Sequence, residues 1–336
     1  MISRLLRADV RRALAAAFVA GLAAAPSSGQ EATEPPPGGT FPGVSGFADF
    51  RMSTRDQGDG LVVGQAEVDL EKALAASVVV NEAIAYDADS ESFGLGVLSV
   101  DFRLYGDSEE HLRASETLTR SGVIVGLFDV PFGLDWQSYA APDRPLVSAP
   151  LVVDGTHGGW NDVGAQVYAE TARWSGVAFA THGFDPDHDD ATIEDIRYAV
   201  GGRAGARPRA FLSVGVSGAW LVAPGHELET TLAGADVEVA HRGLSVRSEF
   251  IRQENGRAVG TRTTLDGYYV RLLGRAGDAF GVVRYGALIP EGDARTERIS
   301  LGAGWKAHED VEFRTEHQLY RSNGDNRTIF QMVVAI

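Results

Sequence analysis

The sequence contains no cysteine, which excludes disulfide bonds and thiolate metal sites. Lysine is nearly absent, with only Lys72 and Lys306, so arginine supplies almost all of the positive charge. The formal net charge is -16, and no basic patch with interleaved aromatic residues occurs, which argues against nucleic-acid binding. Beyond residue 25 no apolar run reaches the roughly 18 residues that a membrane-spanning helix needs.

The first 43 residues differ from the remainder of the chain. Four arginines precede the apolar run 13–25, and small residues follow it. This order predicts a secretory signal peptide over residues 1–29. A membrane anchor is the alternative, but the run is short for a span. Residues 30–43 are rich in proline and glycine without periodicity, and they predict a linker, periplasmic if an outer-membrane domain follows.

From residue 44 to 336 the chain alternates between apolar and polar residues, a period typical of β-strands. In 311–320, for example, Val311 and Phe313 alternate with Glu312 and Arg314. Sixteen strands are predicted, near 44–53, 61–71, 75–86, 94–105, 121–128, 161–171, 174–183, 196–205, 210–221, 229–240, 243–252, 263–274, 279–289, 296–306, 311–320 and 327–336. In 61–71 the predicted apolar face holds Val62, Gly64, Ala66, Val68 and Leu70.

Two architectures produce such alternation, namely a soluble β-sandwich and a transmembrane β-barrel. The predicted strands are long for a globular sheet but suit a tilted membrane span. Their apolar faces are rich in glycine and alanine, which would make a thin sandwich core. We therefore predict an all-β fold, a transmembrane antiparallel β-barrel of about 16 strands. Fourteen or eighteen strands stay open, because the connection at 106–120 is too long for its place in the pattern.

The predicted connections alternate between short and long, as in outer-membrane barrels with short periplasmic turns and longer outer loops. The longest one, residues 130–160, belongs to the outer set. A connection of this length is usually functional or disordered. We predict that it folds inward and narrows a pore.

Four features together resemble a bacterial outer-membrane porin. They are the signal peptide, the block 126–133 (Gly-Leu-Phe-Asp-Val-Pro-Phe-Gly), the block 160–164 (Trp-Asn-Asp-Val-Gly) and the alternating C-terminal strand. The group that includes the phosphate-selective porins has a similar Val-Pro-Phe-Gly block. The resemblance implies sixteen strands, a loop in the lumen, frequent homotrimers, insertion by the barrel-assembly machinery, and contact with outer-membrane lipid and lipopolysaccharide.

Charges on the loop and on the polar strand faces are the candidate selectivity residues, since charge clusters set pore selectivity. An acidic side facing an arginine wall is one hypothesis, and simple Glu–Arg pairing across strands is the other. The predicted constriction residues are Asp129, Pro131, Phe132, Gly133, Asp135, Trp136, Asp143, Arg144 and Asp154. The predicted lumen wall comprises Asp49, Glu67, Asp69, Asp101, Arg197, Arg203, Arg247, Arg271, Arg284, Arg298 and Arg314.

No catalytic motif is recognisable, because the chain has neither a Gly-x-Ser-x-Gly elbow nor a phosphate-binding loop. An outer-membrane hydrolase remains a minor alternative. A cluster at Asp185, Asp187, Asp189 and Asp190 has ligands suited to Ca²⁺ or Mg²⁺, although a solvated outer loop is the simpler interpretation. No cofactor is predicted. The predicted function is passive diffusion of small hydrophilic solutes, with a channel for anionic or chelated solutes and a non-conducting structural or adhesion barrel as alternatives.

Overall fold

The computed structural model describes residues 42–54, 61–87, 92–105, 118–138, 140–182, 198–223, 228–257, 262–321 and 326–336. The predicted signal peptide, nearly all of the linker, Arg197 and the aspartates at 185–190 lie outside these ranges. Within them, the strands are β1 Gly43–Ser53, β2 Val62–Ala75, β3 Val78–Asp87, β4 Ser92–Tyr105, β5 Arg120–Asp129, β6 Asn161–Glu170, β7 Trp174–Thr181, β8 Tyr198–Arg209, β9 Leu212–Ala223, β10 Leu228–His241, β11 Leu244–Arg257, β12 Arg262–Ala276, β13 Ala279–Pro290, β14 Thr296–His308, β15 Val311–Tyr320 and β16 Arg327–Ala335.

These strands form one closed antiparallel barrel, in which each strand pairs with its neighbours in sequence. The barrel closes where β1 pairs with β16, from Phe47 opposite Ala335 to Ser53 opposite Ile329. Closure satisfies the backbone groups that an open sheet edge would leave unpaired in hydrocarbon, at a cost of several kcal/mol each. The predicted fold is confirmed, and the count is sixteen in the described part of the chain.

The apolar faces of the strands point outward. Leu104 is 72% exposed and Trp174 is 67% exposed, whereas the inward Asp101 and Glu316 are 3% and 0% exposed. A sandwich would bury its apolar faces and leave its polar faces in water. The inverted distribution is that of a barrel with a lipid-facing exterior and a polar interior.

One predicted face assignment, in β2, is wrong. A bulge at Gly64 and Gln65 lies opposite Asp49, so Ala66 pairs with Ala48 but Val63 pairs with Phe50. The extra residue moves the side chains that precede it in β2 to the face opposite the predicted one, as bulges do. Gly64 therefore faces the lumen, where a Cβ atom would lie 2.3 Å from Nε of Arg51.

The connections alternate in length as predicted, with the expected exception of the β4–β5 connection, which is long because β4 ends at Tyr105 and β5 begins at Arg120. At one end of the barrel the turns are tight, and in the β10–β11 turn Arg242 and Gly243 both have positive φ, 49° and 81°. That geometry matches the twist of a two-residue hairpin. The loop 130–160 leaves the opposite end, and most of 106–120 lies outside the described residues. No helix in the described ranges is long and apolar enough to cross a membrane.

Candidate functional site: the lumen loop

The loop 130–160 starts and ends at the same place on the barrel rim. The residues between its two ends lie inside the barrel. At its neck, the backbone N–H of Val130 donates to the carbonyl of Trp160 at 2.8 Å. The loop contains short 3₁₀ turns at Asp135–Ser138 and Ala141–Asp143 and one helix, α1, at Leu151–Thr156. The sequence had predicted only irregular structure here. Because α1 is a six-residue segment, it is too short to show helical periodicity.

An apolar cluster holds the loop against the wall. Its loop members are Val130, Phe132, Val152, Val153 and Trp160, and its wall members come from β5, β7, β8, β9, β10, β11 and β12: Phe128, Phe179, Ala199, Ala219, Leu221, Leu232, Ile251 and Tyr269. Phe132 and Val152 are fully buried. Apolar residues on the polar face of a strand, such as Ile251, were the signal for this contact in the sequence. Their significance is visible only once the loop is in place.

The first turn of the loop binds the wall through its backbone. The N–H of Gly133 donates to Oγ of Ser217 at 3.0 Å, and the N–H of Leu134 donates to Oε1 of Glu249 at 2.8 Å. Gly133 has a φ of 69°, and a Cβ there would lie 2.3 Å from the same Oε1. The positive φ favours glycine here, and a larger residue would also displace the Glu249 carboxylate that binds Leu134. Next to it, Asp135 is buried and accepts a hydrogen bond from the Tyr269 hydroxyl at 3.4 Å.

The second contact lies on β13, β14 and β15. Glu316 accepts hydrogen bonds from the backbone N–H and the hydroxyl of Ser148, at 2.8 and 2.6 Å. Arg284 donates to the same hydroxyl at 2.7 Å and to the Ala149 carbonyl at 2.9 Å. Arg298 donates to that carbonyl as well. Bonds with a charged partner are about twice as strong as neutral ones, so this contact is the strongest polar attachment of the loop.

Arg314 makes the third contact, at the far side of the lumen. Its two terminal nitrogens donate to the carbonyls of Ala141 and Pro142, the latter at 3.1 Å, and its Nε pairs with Glu312. Ala141 also packs against Phe47 of β1 and Val333 of β16. The loop thus reaches from β5 across to the closure strands.

Three predicted arginines therefore face the underside of the loop. Arg284, Arg298 and Arg314 are only 5%, 4% and 5% exposed. Their donors are directed at loop carbonyls and at Glu312 and Glu316. In this arrangement they hold the loop against the wall.

The remaining loop charges are more exposed than these arginines. Asp143 and Asp154 are exposed, and Arg144 lies 3.5 Å from Oε1 of Gln65 on β2 through its Nη2. Partial desolvation by the surrounding wall raises the pKa of Asp143 and of Asp154, although nearby arginines act in the opposite direction. Trp136 is half-buried and Pro131 fully buried in the loop. Asp129 lies at the rim, where its carboxylate accepts a hydrogen bond from Asn161 at 3.0 Å.

Most wall charges are paired with an opposite charge. The ion pairs are Asp49 with Arg51, Asp101 with Arg103 at 3.3 Å and with Arg120 at 3.6 Å, Arg203 with Asp236, and Arg247 with Glu238 at 3.0 Å. Glu67 and Asp69 on β2 stay partly exposed. In a closed ring of sixteen strands, β2 lies opposite β10, eight positions away. Glu67 and Asp69 therefore face the side that carries Arg247 and Arg271.

The predicted aspartate cluster at 185–190 lies outside the described residues. Among the described residues, the one group of three close metal-type ligands is His308, Glu309 and Asp310 in the exposed β14–β15 turn. Exposed acidic groups of this kind are common without a bound ion.

No family model matches the chain, and no curated protein matches it in sequence. Solved structures do match its fold. The anion-selective porin from Comamonas acidovorans superposes with a TM-score of 0.64 at 11% identity, over 88% of this chain and 99% of that one. The outer membrane channel DcaP of Acinetobacter baumannii gives 0.63 at 8% identity, over 88% and 97%. The trimer form of OmpT, an outer membrane protein of Vibrio cholerae, gives 0.62 at 11% identity, over 88% and 99%.

The chain has the fold of an outer-membrane porin. Identities this low establish the shared fold and carry no information about individual site residues. The predicted resemblance is confirmed at the level of the fold, with the sixteen-strand porin barrel and its loop in the lumen. The roles of the residues named above remain predictions.

Proposed function

We propose that the protein is an outer-membrane channel through which small hydrophilic solutes diffuse passively. The loop 130–160 would be its constriction. One observation carries this proposal: the loop crosses the lumen and is fixed to the wall at three places, on β9 and β11, on β13 to β15, and at Arg314 of β15. Such a loop reduces the cross-section of the lumen without needing a moving part, and the polar side chains around it keep the passage hydrated.

Selectivity in this proposal comes from two facing groups of charges. Glu67 and Asp69 form the acidic side on β2, and Arg247 and Arg271 form the basic side on β11 and β12. Asp143 of the loop lines the same cavity as Arg247 and Arg271. Opposed charges across a narrow pore produce a transverse field that filters solutes by charge and dipole. Arg284, Arg298 and Arg314 would contribute mainly through the position of the loop.

Conductance of the purified protein in a planar bilayer tests the channel function. We expect stepwise openings, and we expect larger steps after deletion of residues 136–158, because the deletion removes most of the loop but none of the strand ladders. Retained strand content in far-UV circular dichroism is the control for folding. Absence of steps in both proteins would leave the non-conducting barrel as the better interpretation. Equal steps in both would show that the loop is not the constriction.

The assembly is proposed on a separate basis. The OmpT structure with this fold is described as a trimer form, and the outward apolar faces of the present barrel would contact lipid and neighbouring copies alike. We propose a homotrimer in the outer membrane, which the native mass of the detergent-solubilised protein would test.

A further inference from the structure

Two neighbouring turns at the tight-turn end of the barrel carry a group of exposed arginines. Arg173 lies in the turn between β6 and β7, and Arg207 and Arg209 lie at the end of β8, just before the turn to β9. The backbone N–H of Arg207 donates to the carbonyl of Arg173 at 2.7 Å, so the two turns are joined. The fold therefore places three positive charges on one short stretch of the rim.

These arginines form no ion pair with any residue that the structure describes. Arg209 donates one hydrogen bond, to the carbonyl of Pro208 at 3.1 Å. Glu170, which precedes the first turn, lies on the inward face of β6 and opposite Arg120 in the strand ladder. Neighbouring like charges repel each other. An anion from outside the chain would relieve this repulsion.

Exposed arginines near the opposite end of the barrel have carboxylate partners. Arg252 pairs with Asp266 at 2.7 Å. Arg295 and Arg321 both pair with Glu297, at 2.9 and 3.7 Å. The group at the tight-turn end differs from these in its lack of a carboxylate, although the whole chain has a net charge of -16.

Two aromatic side chains beside the arginines are highly exposed. Trp174 is 67% exposed and Phe211 is 48% exposed. Trp174 is opposite Ala206 in the ladder, and its backbone N–H donates to the hydroxyl of Thr171 at 2.8 Å, which fixes the turn. Exposed aromatic residues near the strand ends of a membrane barrel lie at the level of the lipid headgroups. The three arginines are thus at headgroup level.

A shallow apolar groove runs from these turns toward the middle of the outer surface. Its floor consists of small residues that are directly opposite each other on β7 and β8: Gly176, Ala178, Gly202 and Ala204. Its flanks are Val167 on β6 and Val216 on β9, which are 52% and 58% exposed. A Cβ atom added at Gly176 would meet no atom within 4 Å, so the floor is open to the outside.

We propose that Arg173, Arg207 and Arg209, together with this groove, form a rim site that binds an anionic phospholipid. The lipid belongs to the leaflet at the tight-turn end, which the connection pattern predicts to be periplasmic. Guanidinium groups bind phosphate oxygens through paired N–H donors, and clustered arginines attract anionic headgroups. One acyl chain lies along the groove. The site requires a barrel in a membrane and does not depend on conductance.

Native mass spectrometry of the detergent-solubilised protein tests the rim site. The probes are phosphatidylglycerol, whose headgroup is anionic, and phosphatidylethanolamine, whose ammonium group cancels the charge of its phosphate. With equal amounts of both lipids, we expect the wild type to retain about ten times more phosphatidylglycerol. The triple variant Arg173→Gln, Arg207→Gln and Arg209→Gln should lose this preference, because it removes the charges that distinguish the two headgroups.

The matched control is a second triple variant, Arg252→Gln, Arg295→Gln and Arg321→Gln. It removes the same total charge from exposed arginines near the opposite end of the barrel, so it should keep the preference of the wild type. Equal loss of the preference in both variants would overturn the rim site, because the preference would then follow net charge alone. Equal retention of the two lipids by the wild type would overturn it as well.

Wild-type measurements decide the matter even if the first variant fails to fold. A ligand that binds the native state raises the unfolding midpoint, so phosphatidylglycerol should raise it more than phosphatidylethanolamine does. Glycerol 3-phosphate, which has the phosphate but no acyl chain, should produce no such rise at the same concentration. An equal rise with glycerol 3-phosphate would overturn the lipid assignment, because the groove would then contribute nothing to binding.

Discussion

The attachment of the loop at Ser148 gives a quantitative prediction, for which Glu316→Gln is the sharpest perturbation. The Glu316 carboxylate accepts two hydrogen bonds from Ser148, at 2.8 and 2.6 Å, and one from Gln318 at 3.1 Å. Glutamine has nearly the same shape but offers one acceptor oxygen and one NH₂ donor. At least one charge-assisted bond to the loop is therefore lost, and Arg284 loses its carboxylate partner.

Hydrogen bonds to a charged group contribute about 1.5–3 kcal/mol each. Losing one should make local detachment of the loop about tenfold to a hundredfold more frequent, since 1.4 kcal/mol corresponds to a factor of ten. The strand ladders of the barrel do not depend on Glu316, so global unfolding should change less than detachment. Hydrogen exchange of the peptide containing Ser148, followed by mass spectrometry, measures this directly, because that amide donates to Glu316.

Glu312→Gln is the control for this experiment. Glu312 is on the same strand, four residues before Glu316, and it pairs with Arg314. The same change of charge there removes no hydrogen bond to Ser148. If exchange at Ser148 were unchanged in Glu316→Gln, or accelerated equally in Glu312→Gln, the loop would not be held by Glu316, and the apolar cluster would be its main attachment.

Two further predictions concern charge. Replacing Glu67 and Asp69 with Gln and Asn should shift the reversal potential in a salt gradient toward anions, whereas Glu229→Gln on the outer surface should not; equal shifts would argue against a field in the lumen. Burial lowers the pKa of His157 to about 4, so its packing against Phe132 should weaken as the pH falls from about 6.5 to 4. Below 6.5 the detached loop binds the proton more readily, a difference of about 3 kcal/mol over that window. Near-UV circular dichroism should therefore change over this range and lose that change in His157→Gln; an identical profile would refute the assignment.

The barrel was predictable from the sequence because its determinants are local. Alternation identifies each strand and its outward face, and the turn lengths identify the two ends. The exceptions are local as well: the bulge at Gly64 and Gln65 reverses one stretch because a single extra residue shifts the period. Nothing in the alternating pattern marks that residue, since glycine and glutamine fit either face.

The docking of the loop was less accessible, because it depends on which residues meet across the lumen. Leu232 and Ile251 are apolar residues on the otherwise polar faces of their strands. In the sequence neither indicates a contact, and their role becomes visible only when Phe132 and Val152 pack in the same cluster. The same limit applies to Glu249. Its position on the inner face follows from alternation, but its bond to the Leu134 amide joins residues far apart in sequence and passes through an irregular loop.

The arginines show most clearly what the pattern alone leaves open. Alternation assigns Arg271, Arg284, Arg298 and Arg314 to one inner face and treats them alike. The loop then divides them, because its carbonyls lie within reach of the last three and not of Arg271. A carbonyl carries only a partial charge, so it fixes the direction of a guanidinium without neutralising it. The loop-bound arginines can thus anchor the loop, whereas Arg271 donates to none of its carbonyls, and this difference follows from position rather than from residue type.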